Sequence, residues 1–105
     1  MNNQRSHFRL EYPSSDRPTL VIEKKEFVVF DLSEGGCKFL LTKDLKPAPK
    51  SRLSGTVKFK SGKTCTIEGI VLRVNPDQSC VLLLSKGISL PQMMEEQRRL
   101  IQKYK

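Results

Sequence analysis

The sequence predicts an all-β fold, a small antiparallel barrel of six strands with an α-helix at its C-terminal end. Three observations predict it. Short runs rich in Val, Ile, Phe and Thr recur from residue 19 to residue 84, most of them punctuated by Gly, Pro, Asn, Asp or Ser. At residue 89 the apolar spacing changes from strand-like to helical. The 105 residues suffice for one hydrophobic core and not for two. The strands must then share one sheet, and closing it into a barrel removes exposed edges.

Each element has its own warrant. Pro13-Ser14-Ser15-Asp16 is a turn or loop signal within residues 10–17. Residues 19–23 and 27–32 are β-rich runs joined by a tight hairpin at Lys24-Lys25. Gly35-Gly36 punctuates next, residues 37–42 form a third strand, and residues 43–51, with Pro47 and Pro49, make a polar connection. In residues 53–60, Leu53, Val57 and Phe59 alternate with Ser54, Thr56, Lys58 and Lys60, the pattern of a half-buried strand.

Ser61-Gly62-Lys63 turns the chain into residues 64–74. There Cys65 and Ile67 share one parity and Ile70, Leu72 and Val74 the other, which predicts a β-bulge at Glu68-Gly69. Asn75-Pro76-Asp77-Gln78 has proline at the second place of a type I turn, and residues 79–84 form the last strand. A helix over 90–104 follows from the spacing of Leu90, Met93, Met94, Leu100, Ile101 and Tyr104, with Pro91 in its first turn. Glu95 and Glu96 precede Arg98, Arg99 and Lys103, the order the helix dipole favours. The apolar stripe is expected to cover one opening or side of a barrel spanning 18–85.

A net charge of +8 and a pI near 9.7 imply attraction to an anionic partner. Cys37, Cys65 and Cys80 offer no C-x-x-C, and His7 is the one histidine. Neither a zinc site nor a Cys–His nucleophile pair is expected, and three reduced thiols point to a reducing compartment. The first residues have no apolar core of the kind a signal peptide needs, and the apolar run 81–84 is too short to span a bilayer. A cytoplasmic protein with no membrane insertion is therefore expected.

Two short motifs carry the functional signal. Arg5-Ser6-His7-Phe8-Arg9 is an R-x-x-x-R, and Asp31-Leu32-Ser33-Glu34-Gly35-Gly36 is a D-x-S-x-x-G at the end of an apolar run. Taken separately they have plain readings. The arginines could belong to a solvated basic tail, and Asp31 and Ser33 could cap a turn in which Gly35 and Gly36 supply positive φ. In this order, on a small-barrel pattern, they resemble the signatures of PilZ domains, bacterial receptors for cyclic di-GMP. The resemblance spans the chain from Arg5 to the C-terminal helix and implies a single PilZ-like barrel over 1–105, with a mobile ligand-gripping arm over 1–12. It implies that Arg5 and Arg9 grip cyclic di-GMP while Asp31, Ser33 and Gly36 line the barrel surface beneath it. Gln4, His7 and Gly35 would be accessory contacts, Gln4 standing where many members of the family carry a further basic residue.

The chemistry suits that ligand. A guanidinium can pair a phosphate or the O6/N7 edge of guanine through two parallel hydrogen bonds, and it can stack on the base. A carboxylate at Asp31 can accept from guanine N1–H and N2–H, and a glycine lets a ligand approach the backbone. No cofactor and no enzymatic activity are expected, since no nucleophile–base constellation is visible. The nearness of the arginine motif to the start of the chain predicts that ligand orders the arm and that a separate protein partner reads the changed surface.

One rival is a basic barrel binding single-stranded nucleic acid through Lys43, Lys46, Lys50, Arg52, Lys58, Lys60 and Lys63. That function wants exposed aromatics, whereas Phe30 and Phe59 fall at core parity, so nucleic acid is disfavoured. The other rival is a PilZ-like adaptor that binds no ligand, against which the completeness of both motifs counts.

Overall fold

The computed structural model describes residues 9–43 and 45–104. Its strands are β1 (Arg9–Glu11), β2 (Thr19–Ile22), β3 (Lys25–Ser33), β4 (Gly36–Leu40), β5 (Arg52–Lys58), β6 (Thr64–Val74) and β7 (Ser79–Lys86), followed by helix α1 (Leu90–Lys103). All pairings are antiparallel, and the ring β3-β2-β5-β6-β7-β4 closes through β3–β4 into the six-stranded barrel. β1 is not a further barrel strand. It continues the line of β2 along the same edge of β3, separated from it by a 3₁₀ turn at Ser14–Asp16. Hydrogen bonds from Tyr12 N to Phe30 O and from Val29 N to Pro18 O, each 3.0 Å, bridge the interruption. Residues 9–11 of the expected arm are thus paired strand, and residues 1–8 lie outside the described residues.

Alternation drives this closure. Leu10, Leu20, Ile22, Phe27, Val29, Leu32, Phe39, Val57, Ile67, Val71 and Leu82 point inward and are buried. Phe27 and Phe39 meet edge to face with ring centroids 5.7 Å apart. Cys37 and Cys80 are free thiols inside this core; burial pushes the Cys37 thiol far up and that of Cys80 to about 11. Hairpin β2–β3 turns at Glu23-Lys24, one residue earlier than expected, with φ of 52° and 72°, as a type I′ turn requires.

Two expectations about the strands need correction. The inward parity of Cys65 and Ile67 continues unbroken through Gly69 to Val71. The irregularity at Glu68-Gly69 comes from an extra residue, Ser85, on the facing strand, and β6 itself bulges only at Leu72. Leu72 and Val74 consequently face solvent. Phe30 is also misplaced by simple alternation. Counting back from Leu32 puts it inside, but Val29 is the inward residue; a bulge between Val29 and Asp31 leaves Phe30 and Asp31 both outside, so Phe59 is in the core and Phe30 is not.

Helix α1 starts at Ser89, whose hydroxyl accepts from Gln92 N at 3.3 Å. Only part of its expected stripe is packed: Met93 and Leu100 are buried, whereas Leu90, Met94, Ile101 and Tyr104 are exposed. Polar groups complete the docking. Tyr12 donates to Glu96 at 2.8 Å, Arg99 bridges Glu96 and Asp16, and the buried Asp16 carboxylate also accepts from Lys103 at 2.9 Å and from Tyr104. Burial, reinforced by the bond to Glu96, drives the Tyr12 hydroxyl pKa far up, which keeps it a donor. No helix among the described residues is long and apolar enough to cross a membrane.

The Asp16 latch has a pH consequence. Hydrogen bonds from Tyr104 and Lys103 hold its carboxyl well below the ordinary value of 3.8. A carboxyl whose pKa is lower folded than unfolded contributes its full stability above the unfolded value and loses it as pH falls through the folded one. Thermal melts of wild type and Asp16→Asn should therefore be well separated at pH 7, and the separation should shrink progressively as pH falls below about 4. A separation independent of pH would contradict a charged Asp16 at the helix.

Candidate functional site

The D-x-S-x-x-G motif occupies the β3–β4 hairpin. Asp31 and Ser33 flank the buried Leu32 and therefore share the outer face of β3. Glu34 and Gly35 make the turn, and Gly36 opens β4. The turn is braced from β7, because Leu84 N donates to Gly35 O at 2.9 Å. Register then brings the second arginine into place. Arg9 stands opposite Ser33 and Glu11 opposite Asp31, both exposed on either side of buried Leu10.

Two adjacent rows of outward residues result, crossing the same four strands. One runs Arg9, Ser33, Gly36, Leu83; the other runs Glu11, Asp31, Lys38, Val81. The structure thus brings Arg9, Asp31, Ser33, Gly35 and Gly36 to one outer corner of the barrel. Arg5, His7 and Gln4 lie outside the described residues.

Gly36 separates the turn reading from a binding reading. Neither Gly35 nor Gly36 has positive φ. A Cβ on Gly36 would meet Ser33 Oγ at 3.4 Å and Leu82 O at 3.6 Å, ordinary contacts that a side chain tolerates. The backbone therefore has no need of glycine at this position. What the glycine does is leave a bare patch of outer backbone between Ser33 and the exposed Leu83.

Sequence reasoning missed five neighbours of this corner. Next to the Asp31 row lies an open hollow of about 350 Å³, lined by Glu11, Arg17, Phe30, Asp31, Lys38 and Asp77. The bulge sets Asp31 beside Phe30 on the outer face, Arg17 arrives through the 3₁₀ turn, and Lys38 through the pairing with Asp31. The Asp77 carboxyl is held below the ordinary range, chiefly by hydrogen bonds from Ser79, with Lys38 contributing, so it remains an anion there. The fifth is Gly87, whose backbone presses on the Glu34 carbonyl; a glycine just after the last strand was the one sequence signal for it. A larger hollow of about 620 Å³ lies at the other end of β4, among Leu41, Leu45, Pro47 and Val74, away from both motifs.

No curated protein matches the chain by sequence. Among solved structures it is similar to the Bacillus subtilis inhibitor of motility MotI/DgrA, with a TM-score of 0.67 and 18% identity. That likeness covers 98% of this chain and 54% of the Bacillus chain, so this chain spans about half that protein's length. The likeness is one of fold: a six-stranded barrel with a C-terminal helix. The PilZ domain pattern itself matches residues 3–105, nearly the whole sequence, and the chain belongs to the PilZ domain family.

Proposed function

We propose that this chain is a cytoplasmic, non-enzymatic receptor for cyclic di-GMP. Arg5 from the arm and Arg9 from β1 grip the ligand, and Asp31, Ser33 and Gly36 bear it on the outer face of β3 and β4. One observation carries the reading: Gly36 is bare where the fold has no need of glycine, and it lies in one row with Arg9 and Ser33. A surface kept clear beside a cation and a hydroxyl suits a flat anionic ligand lying against the backbone. Binding orders the arm, and a partner protein reads the altered surface. Family membership supports that regulatory role, and the Bacillus neighbour is by its own description an inhibitor of motility.

Calorimetric titration of cyclic di-GMP into wild type and Arg9→Ala tests the reading, with GTP and a short oligonucleotide as controls. Selective binding to wild type, weakened about a hundredfold or more in Arg9→Ala, is expected for loss of a charge-assisted bidentate contact and a stacking face. Absence of binding to folded, ligand-free wild type would sink it. A salt-steep affinity for the oligonucleotide would favour the nucleic-acid rival instead.

A further inference from the structure

The hollow beside Asp31 holds features that the two signature motifs leave unused. The Arg17 guanidinium lies over the Phe30 ring, 4.8 Å from its centroid. Its Nε is buried and has no hydrogen-bond partner among the described residues. A buried donor left unpaired is costly, and such groups in native structures call for an acceptor. Phe30 itself is an outward aromatic, and the bulge puts a carboxylate of the signature on the same face beside it. At about 350 Å³ the hollow falls within the range of small-molecule pockets.

Its polar groups have a definite complement. Among its lining residues Arg17 and Lys38 offer donors, while Glu11, Asp31 and Asp77 offer acceptors. Guanine carries the matching edges: O6 and N7 accept, whereas N1–H and N2–H donate. Adenine presents an amino group where guanine has O6, which sets donor against donor at Arg17. We propose that this hollow is a purine subsite of the cyclic di-GMP site, in which Arg17, braced on Phe30, binds guanine and selects it over adenine. The inference rests on the ligand reading above and extends the site along β3 beyond the signature residues.

The test is titration of cyclic di-GMP and cyclic di-AMP into wild type, Arg17→Ala, Arg17→Lys and Phe30→Leu, each checked for folding by its thermal melt. Arg17→Ala should weaken cyclic di-GMP about tenfold or more, the cost of a lost bidentate base contact. Cyclic di-AMP should be little affected, so the guanine preference collapses. Arg17→Lys keeps the charge without the planar fork and should resemble Arg17→Ala, and Phe30→Leu should lose a smaller share. If wild type binds cyclic di-GMP and both Arg17 variants keep its affinity and selectivity, the subsite is wrong while the ligand reading stands. If folded, ligand-free wild type binds no cyclic di-GMP, the ligand reading fails and the subsite with it.

Discussion

Gly36→Leu should fold normally and lose most of its affinity for cyclic di-GMP. The fold has room for the change. The glycine is the first residue of β4, its φ lies outside the left-handed region, and a Cβ there makes only ordinary contacts with Ser33 and Leu82. Replacing glycine in a strand removes an entropic penalty, so the melting temperature should hold or rise, with a stability change within about 1 kcal/mol. A leucine would nevertheless project from the outer face between Ser33 and Leu83, into the space that the proposed ligand would occupy. The expected loss is about a hundredfold or more, equivalent to roughly 2.8 kcal/mol of binding free energy. Gly36→Ala should fall in between. Titration of both variants beside their melts decides the matter, and wild-type affinity in Gly36→Leu would show that the ligand does not cross the start of β4.

Gly87→Ala should do the reverse and damage fold and site together. A Cβ at residue 87 would stand 2.0 Å from the Glu34 carbonyl oxygen and 3.1 Å from its carbon. Both are backbone atoms of the signature turn, so no side-chain rotation relieves the clash. Either the segment after β7 lifts or the β3–β4 turn moves, and that turn is also tied to β7 through Leu84 N and Gly35 O. Overpacking of this kind costs about 1–3 kcal/mol. In a domain of this size each kcal/mol lowers the melting temperature by about 4–8 °C. Because Ser33 and Gly36 flank the displaced turn, affinity for cyclic di-GMP should fall as well. A Gly87→Ala protein that melts and binds like wild type would refute the close approach.

Much of the fold was legible because its determinants are local. Alternation in residues 53–60, the turn residues at 75–78 and the change of period at residue 89 each specify an element without reference to the rest of the chain. The two motifs were legible for the same reason, being short strings of chemically distinctive residues. The errors fell where a partner strand decides. Counting residues along β6 put an extra residue at Glu68-Gly69, although it belongs to β7 at Ser85. Counting along β3 put Phe30 in the core, although pairing with β4 bulges the strand there. The helix stripe divided likewise, since Glu96 found Tyr12 and Arg99 while Met94 and Ile101 found no cover.

The sequence by itself determined the class of the protein: a small closed antiparallel barrel with a terminal helix, carrying the two PilZ signatures in order. Periodicity and short motifs are properties of neighbouring residues, and they survive without knowledge of contacts. Only the tertiary structure decided which residues stand beside the signatures. Register set Arg9 against Ser33 and Lys38 against Asp31, a bulge put Asp31 on one face with Phe30 beneath Arg17, and barrel closure pressed Gly87 onto Glu34. Each depends on which strand lies alongside and by how many residues it is shifted, and a one-residue shift in a strand reverses every side chain it carries.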